Sequence, residues 1–337
     1  MDLDLTDDQA ALRDAVVALF AKEAPITAVR DAEPLGFDSG LWAKTADMGL
    51  ATITVPEALG GGGYGFVDLA IAVEELGRTL APVPLIEAAV ANHLLARLGA
   101  DVAGIDLATI AIRPAIDGVA RVVPAGAVAD AVIVLDGGEL VVVRRSGVGP
   151  STPAPSIPNL GSMPIADCRV DDGERLVIAS GPAALDAHRA AVAHWELLTA
   201  VALVGLGARA LEIGLEYVLE RRAFGVLIAS FQTIQHRLAD NAVALDGARL
   251  LAYEAAWSHD VCETRAAELA SMAFLFAGET AHKAAADSTQ FHGGYGYTLE
   301  YDIQLFLRRA KAWVLVAGDP KHRYAQLAHR LHPAEEA

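Results

Sequence analysis

Two cysteines in 337 residues are too few to staple a fold, and Cys168 and Cys262 are not spaced as metal ligands. Free Cys is a mostly buried residue type, so both thiols are expected inside. Basic residues are outnumbered, 26 Lys and Arg against 43 Asp and Glu, and the net charge of −17 leaves no basic footprint for nucleic acid. Small anions are not excluded, because a few local arginines can hold them. Charge of either sign is sparse at 20%, yet no uninterrupted apolar run has the length of a bilayer crossing. The opening MDLDLTDDQA is acidic where a secretory signal would be basic. These absences predict a soluble cytoplasmic protein with neither nucleic acid nor membrane as partner. Apolar residues, in contrast, make up 53% of the chain. On an acidic chain that hints at large buried interfaces, and hence an oligomer.

Three textures follow one another, with no internal repeat. The first, residues 1–100, is helical. Thr6 and Gln9 have capping-box spacing, and Leu12, Val16, Leu19 and Phe20 fall on one face. Pro56 and the run Gly60 to Gly63 interrupt the pattern. Helices resume in DLAIAVEELGRTLA and PLIEAAVANHLLARLG, each with a Gly read as its terminator. The second texture, residues 101–181, consists of short β-branched runs such as DAVIVLD and ELVVVRR around Asp136-Gly137-Gly138, and reads as a small β domain. The third, residues 182–337, is helical again: one very long apolar helix, a second over about 231–259, a third over about 264–289, and a fourth after HGGYGY.

That order resembles the acyl-CoA dehydrogenase family of flavoproteins over nearly the whole chain. LTDDQAALRDAV, TADMGLATITVPEALGGGGYG and VEELGRTLAPVP carry the likeness at one end; ERRAFGVLIASFQTIQHRLAD and TQFHGGYGYTLEYDIQLFLRRAK carry it at the other. The resemblance implies an α+β multidomain fold: an N-terminal helical domain, a barrel- or sandwich-like middle β domain and a C-terminal four-helix bundle. It implies FAD lying across a subunit interface, its ring on one subunit's β domain and its nucleotide end on the neighbour. The matching positions here are Arg221, a fork of donors for pyrophosphate; Phe224, to pack on the cofactor; Gln232, for an adenine edge; and Gln290 with Gly293, Gly294 and Gly296, where the ligand can approach bare backbone. Gly225 lets the chain turn. The structural reading is preferred for Gly60 to Gly63, a permissive loop, and for Glu74 and Glu75, helix-surface or inter-helix charges and not catalysts.

The family abstracts a proton α to a thioester while the β-hydrogen leaves as hydride, so a carboxylate has to stand beside that carbon. In most members it is a Glu shortly after an Arg-Asp-Ala-Lys stretch. Laid over RRAKAWVLVAGDP, that position is Ala317, and the Asp is Arg309. Other members place the base near the start of the long helix, where this chain has Trp195. Glu196 is its neighbour, but one helical step turns a side chain by about 100°; Asp319 is short and late, and His194 has a likelier structural use. The middle zone also has no Trp where the flavin-holding strand carries one. The resemblance is therefore to the base-lacking subunit of actinobacterial heterotetrameric acyl-CoA dehydrogenases, notably of steroid side-chain catabolism. It implies an acyl-CoA substrate, a base-bearing α2β2 partner and an electron-transfer flavoprotein or similar acceptor. Two alternatives stand beside it: a self-sufficient homotetramer or dimer with Glu196 as base, and a flavin-free acyl-CoA-binding scaffold.

Overall fold

The computed structural model describes residues 4–100 and 103–332. Five helices come first, α1 (Asp7–Glu23), α2 (Ile26–Asp31), α3 (Ser39–Asp47), α4 (Phe66–Thr79) and α5 (Leu85–Leu98). Six strands follow, β1 (Ala108–Ile110), β2 (Val119–Val123), β3 (Ala131–Asp136), β4 (Glu139–Arg144), β5 (Ala166–Arg169) and β6 (Glu174–Ser180). Then come α6 (Pro182–Glu220), the small strands β7 (Arg222–Ala223) and β8 (Val226–Leu227), and helices α7 (Gln232–Asp260), α8 (Ala266–His292), α9 (Ile303–Val316) and α10 (Pro320–Leu331). The expected α, β, α order is present, with α10 as a helix beyond the four expected. The chain folds as two compact units, one of residues 1–26, 70–81 and 197–337, the other of residues 27–69 and 82–196.

In the first unit, Thr6 caps α1 as its spacing predicts. Its hydroxyl accepts the Gln9 N–H at 3.2 Å, and the Gln9 carboxamide accepts the Thr6 N–H at 3.1 Å. Val16 and Phe20 are the fully buried face of that helix. Gly77, read from the sequence as a terminator, instead lies inside α4. A Cβ there would sit within the Ala202 carbonyl of α6, and one at Gly205 of α6 would sit within the Glu74 carbonyl of α4. The two backbones therefore touch, which only hydrogen side chains permit. Glu74 accepts from the Tyr253 hydroxyl at 2.8 Å and pairs with Arg249 at 3.2 Å, so it joins α4 to α7 as the inter-helix charge expected. Further along α6, a Cβ at Gly207 would meet Ala281 of α8 at 3.1 Å. An 18-residue window of α6 has mean hydropathy 1.6, enough for a bilayer by length and composition, but 72% of that window is buried inside the protein.

In the second unit the strands form a four-stranded sheet in the order β1-β3-β4-β6 and a separate β2-β5 pair. The fold is thus two small sheets and no closed barrel. Asp136 and Glu139 close the β3–β4 hairpin, with Gly137 and Gly138 both at positive φ in the two-residue turn that the sequence signals. Alternate residues Val132, Val134, Val141 and Val143 of the larger sheet share one core with Ala120, Val123 and Cys168 of the smaller. Arg145 enters this region without a carboxylate partner among the described residues; its guanidinium donates to the Gly126 and Ala129 carbonyls and reaches the Cys168 sulfur at 3.6 Å. The run Gly60 to Gly63 has a structural cause: a Cβ at Gly61 would strike the Val55 carbonyl, and Gly60 and Gly63 are at positive φ.

One expectation fails for Cys262, which is exposed just beyond α7, at positive φ; only Cys168 is buried. Burial pushes the Cys168 thiol up, against the pull of Arg145. An aromatic disulfide reagent should therefore titrate one fast thiol in the native chain and a second only after unfolding, and Cys262→Ser should abolish the fast phase. Crowding at the helix contact gives a second test. Gly77→Ala should lower unfolding free energy in urea by about 1–3 kcal/mol, whereas Gly149→Ala, where the added Cβ meets only ordinary contact at 3.6 Å, should change it by less than about 0.5 kcal/mol.

Candidate active site and cofactor half-site

The end of α6, the β7–β8 hairpin, the start of α7 and the end of α8 converge on a small core of Val218, Ile228 and Phe291, flanked by Tyr217, Ala223, Ala229, Ile234 and Leu238. The cofactor residues expected from the sequence lie within a few positions of members of that cluster along the chain. Arg221 ends α6, with its carbonyl bonded by the Ile228 N–H at 2.9 Å, and its guanidinium lies 5.9 Å from the centre of the Tyr295 ring. It forms no ion pair among the described residues. Phe224 and Gly225 form the tip of the hairpin at φ of 53° and 81°. Phe224 is 96% exposed, touched by the Phe231 ring at a centroid distance of 6.3 Å. A large side chain in left-handed backbone and open to water carries two local costs and no local gain.

Gln232 is the first residue of α7, whose N-cap Phe231 supplies no side-chain bond to the first-turn amides. The exposed helix N-terminus therefore offers free N–H donors and the positive end of its dipole. Gln290 is exposed in the last turn of α8, and its side chain, like that of Gln232, makes no bond within the described residues. Gly293 follows at φ 60°, and neither Gly293 nor Gly294 has a neighbour within 4 Å of a hypothetical Cβ. Gly296 differs: a Cβ there would meet the Thr289 carbonyl at 2.5 Å, so it is packed rather than open. Behind this surface stands an aromatic stack the sequence reading missed. His292 lies on Tyr217 at 4.0 Å, and Tyr301 meets both rings edge-on at 5.4 and 6.1 Å. The His292 Nδ1–H donates to the Ser288 carbonyl at 2.7 Å, and burial lowers the imidazole pKa. The Tyr-x₃-Arg and His-Gly-Gly-Tyr spacings were the available signal.

The proton-accepting position is a different matter. Ala317 caps the end of α9, and Asp319 is the N-cap of α10, accepting the Lys321 N–H at 2.9 Å. In the second unit Trp195 is 2% exposed, and its indole N–H donates to the Glu87 carboxylate at 3.2 Å. Glu196 is equally buried, on a helix that runs as unbroken α-helix through this turn. Burial raises the pKa of Glu87, against hydrogen bonds from its own backbone and from Trp195. Glu87 went unremarked in the sequence, though a lone acid inside LIEAAVANHLL is itself a signal. His194 packs on the Phe66 ring at 4.4 Å, the structural use expected of it.

Residues 6–102 match the model for the acyl-CoA dehydrogenase N-terminal domain, and residues 186–332 match that for the C-terminal domain. Acyl-CoA dehydrogenase IpdE2 of Mycolicibacterium smegmatis is 30% identical over 333 residues, covering 96% of this chain and 98% of that one. IpdE2 of Mycobacterium tuberculosis is 32% identical over 322 residues, 94% of each chain. Among solved structures, the ChsE4-ChsE5 complex of Mycobacterium tuberculosis superposes with a TM-score of 0.86 at 23% identity, over 99% of this chain and 100% of that one. The chain belongs to the acyl-CoA dehydrogenase family, whose members are oxidoreductases acting on CH–CH bonds.

Proposed function

We propose that this chain is the base-lacking subunit of a cytoplasmic α2β2 acyl-CoA dehydrogenase, and that it holds the nucleotide end of an FAD whose ring is seated in a related partner. The single observation behind this reading is the set of exposed groups around one small core: Arg221, Gln232 and Gln290 with no side-chain hydrogen bond or ion pair among the described residues, an uncapped α7, two open glycines and an exposed Phe224. Those groups fit a pyrophosphate and an adenine. The fork of Arg221 and the α7 amides would hold the phosphates, Gln232 an adenine edge, and Phe224 an aromatic or apolar face. Residues 101–181 carry no matching equipment for the ring. In this reading residues 1–100 and 182–337 are the flanking helical domains and 101–181 the middle β domain.

FAD, when bound, supplies the hydride acceptor for oxidation of an acyl-CoA to its 2-enoyl-CoA. The α-proton needs a carboxylate, and this chain offers Ala317, a capping Asp319 and a Trp at the two places where relatives keep one. The partner therefore supplies the base, and an electron-transferring flavoprotein or similar protein takes the electrons. Two structures of similar fold are two-component assemblies, the ChsE4-ChsE5 complex and the Tcur3481-Tcur3483 steroid acyl-CoA dehydrogenase, which supports a paired arrangement and a bulky lipid or steroid acyl group.

The chain purified alone should be colourless; co-expressed with a base-bearing homologue it should yield a yellow complex with one FAD per pair. A chain that is yellow and reduces dye alone, and loses that activity in Glu196→Gln, would overturn the assignment. Within the complex, Arg221→Ala removes charge-assisted bonds of about 1.5–3 kcal/mol, so FAD affinity should fall on the order of 10- to 100-fold. Since Arg221 is exposed, the variant complex measured free of FAD should keep the wild-type thermal midpoint and elution, and only the stabilisation added by FAD should shrink.

A further inference from the structure

The second unit holds a side-chain cluster that the FAD reading does not use. Trp195 of α6 is among the largest fully buried side chains of the molecule, and its one polar atom is tied across 108 positions of sequence to Glu87 of α5. Beside it His194 completes a block of rings: His194 to Phe66 at 4.4 Å, His194 to His93 at 5.1 Å, and Phe66 to His93 at 5.0 Å. His93 is fixed in turn, its Nδ1–H donating to the Thr54 carbonyl at 3.3 Å. On α5 the neighbouring Ile86, Val90 and Leu94 are all buried. A groove able to take an alkyl chain along this side of α5 would leave the lining rings open to water in the empty protein, and the indole is not open.

The hydrogen bond has its own meaning. Glu87 is half-buried, and drawing a carboxylate even partly out of water costs free energy that one indole donor does not recover. What the bond does supply is direction: it fixes an indole that could otherwise rotate into one orientation across the unit. We propose that Trp195, latched by Glu87, is a plug that closes this chain's own acyl site, so that the chain binds no acyl-CoA on its own account. The proposal rests on the reading above that position 195 is one of the two places where relatives hold their base. It goes beyond that reading, because loss of a base removes chemistry and leaves binding intact, whereas a plug removes binding as well.

The test uses non-reactive CoA thioethers with butyl and octyl tails, titrated calorimetrically into the full-length chain. In the wild type the two probes should bind equally weakly, since only the CoA portion finds a surface. In Trp195→Ala the octyl probe should bind at least about tenfold tighter than the butyl, as each methylene enters the vacated volume. Free indole should compete it away and raise the variant's thermal midpoint. Tail-length dependence in the wild type would overturn the plug, and so would its absence in a cooperatively folding Trp195→Ala. Should that variant fail to fold, Glu87→Ala keeps the indole and removes only its latch. Tail-length dependence there supports the proposal, and none overturns the latch. The subunit reading is judged separately by colour: a yellow, active chain alone defeats that reading, and a colourless chain that prefers the octyl probe defeats only the plug.

Discussion

Backbone touching backbone, at Gly77 on Ala202 and at Gly205 on Glu74, is the constraint from which the first unit is built. Helices normally stand 8–10 Å apart, separated by side chains. Removing the side chain at each crossing lets α4 lie directly on α6, and it aims Glu74 across to Tyr253 and Arg249 of α7. Glycines further down α6 make room for side chains instead, Gly207 for Leu245 of α7 with Ala281 of α8 close by, and Gly214 for Ser288. A 39-residue helix so placed is the spine on which α7 and α8 are set, and its end delivers Arg221 to the place where those helices begin and finish.

The surface at that end has a particular physical character. Long polar side chains usually find partners inside their own chain or contribute nothing in water. Here Arg221, Gln232 and Gln290 are exposed with no side-chain hydrogen bond or ion pair among the described residues, beside an exposed phenylalanine held in left-handed backbone. The half-buried Glu87 and the buried Trp195 present the opposite case, polar atoms of one unit hydrogen-bonded to each other. One face presents polar groups outward, and the other case ties a polar pair together across the unit. Both fit a subunit that lends part of a cofactor site to a partner.

Much of this was legible in the residues, and the limits are specific. Capping spacing at Thr6 and Gln9, the Asp-Gly-Gly hairpin turn and the helical periods after residue 182 are local chemistry, and the structure repeats them. Gly77 was misread because a helix-ending glycine and a helix-crossing glycine look alike until the second helix is placed. Cys262 was misread because burial frequency describes a residue type and not the exposed turn beyond α7 in which it sits. Glu87 escaped notice because its importance lies wholly in a tryptophan 108 positions away.

By itself the sequence determined the order of helices and strands, the family motifs, and the absence of a carboxylate at position 317. Those follow from side-chain period, turn stereochemistry and residue identity, all of which act within a few residues. Tertiary structure alone decided which glycines are contacts and which are open, that the ends of α6, α7 and α8 meet at one small core, and that Trp195 is hydrogen-bonded to Glu87. These depend on distances between segments far apart in the chain, and such distances exist only once the apolar faces have been buried against one another.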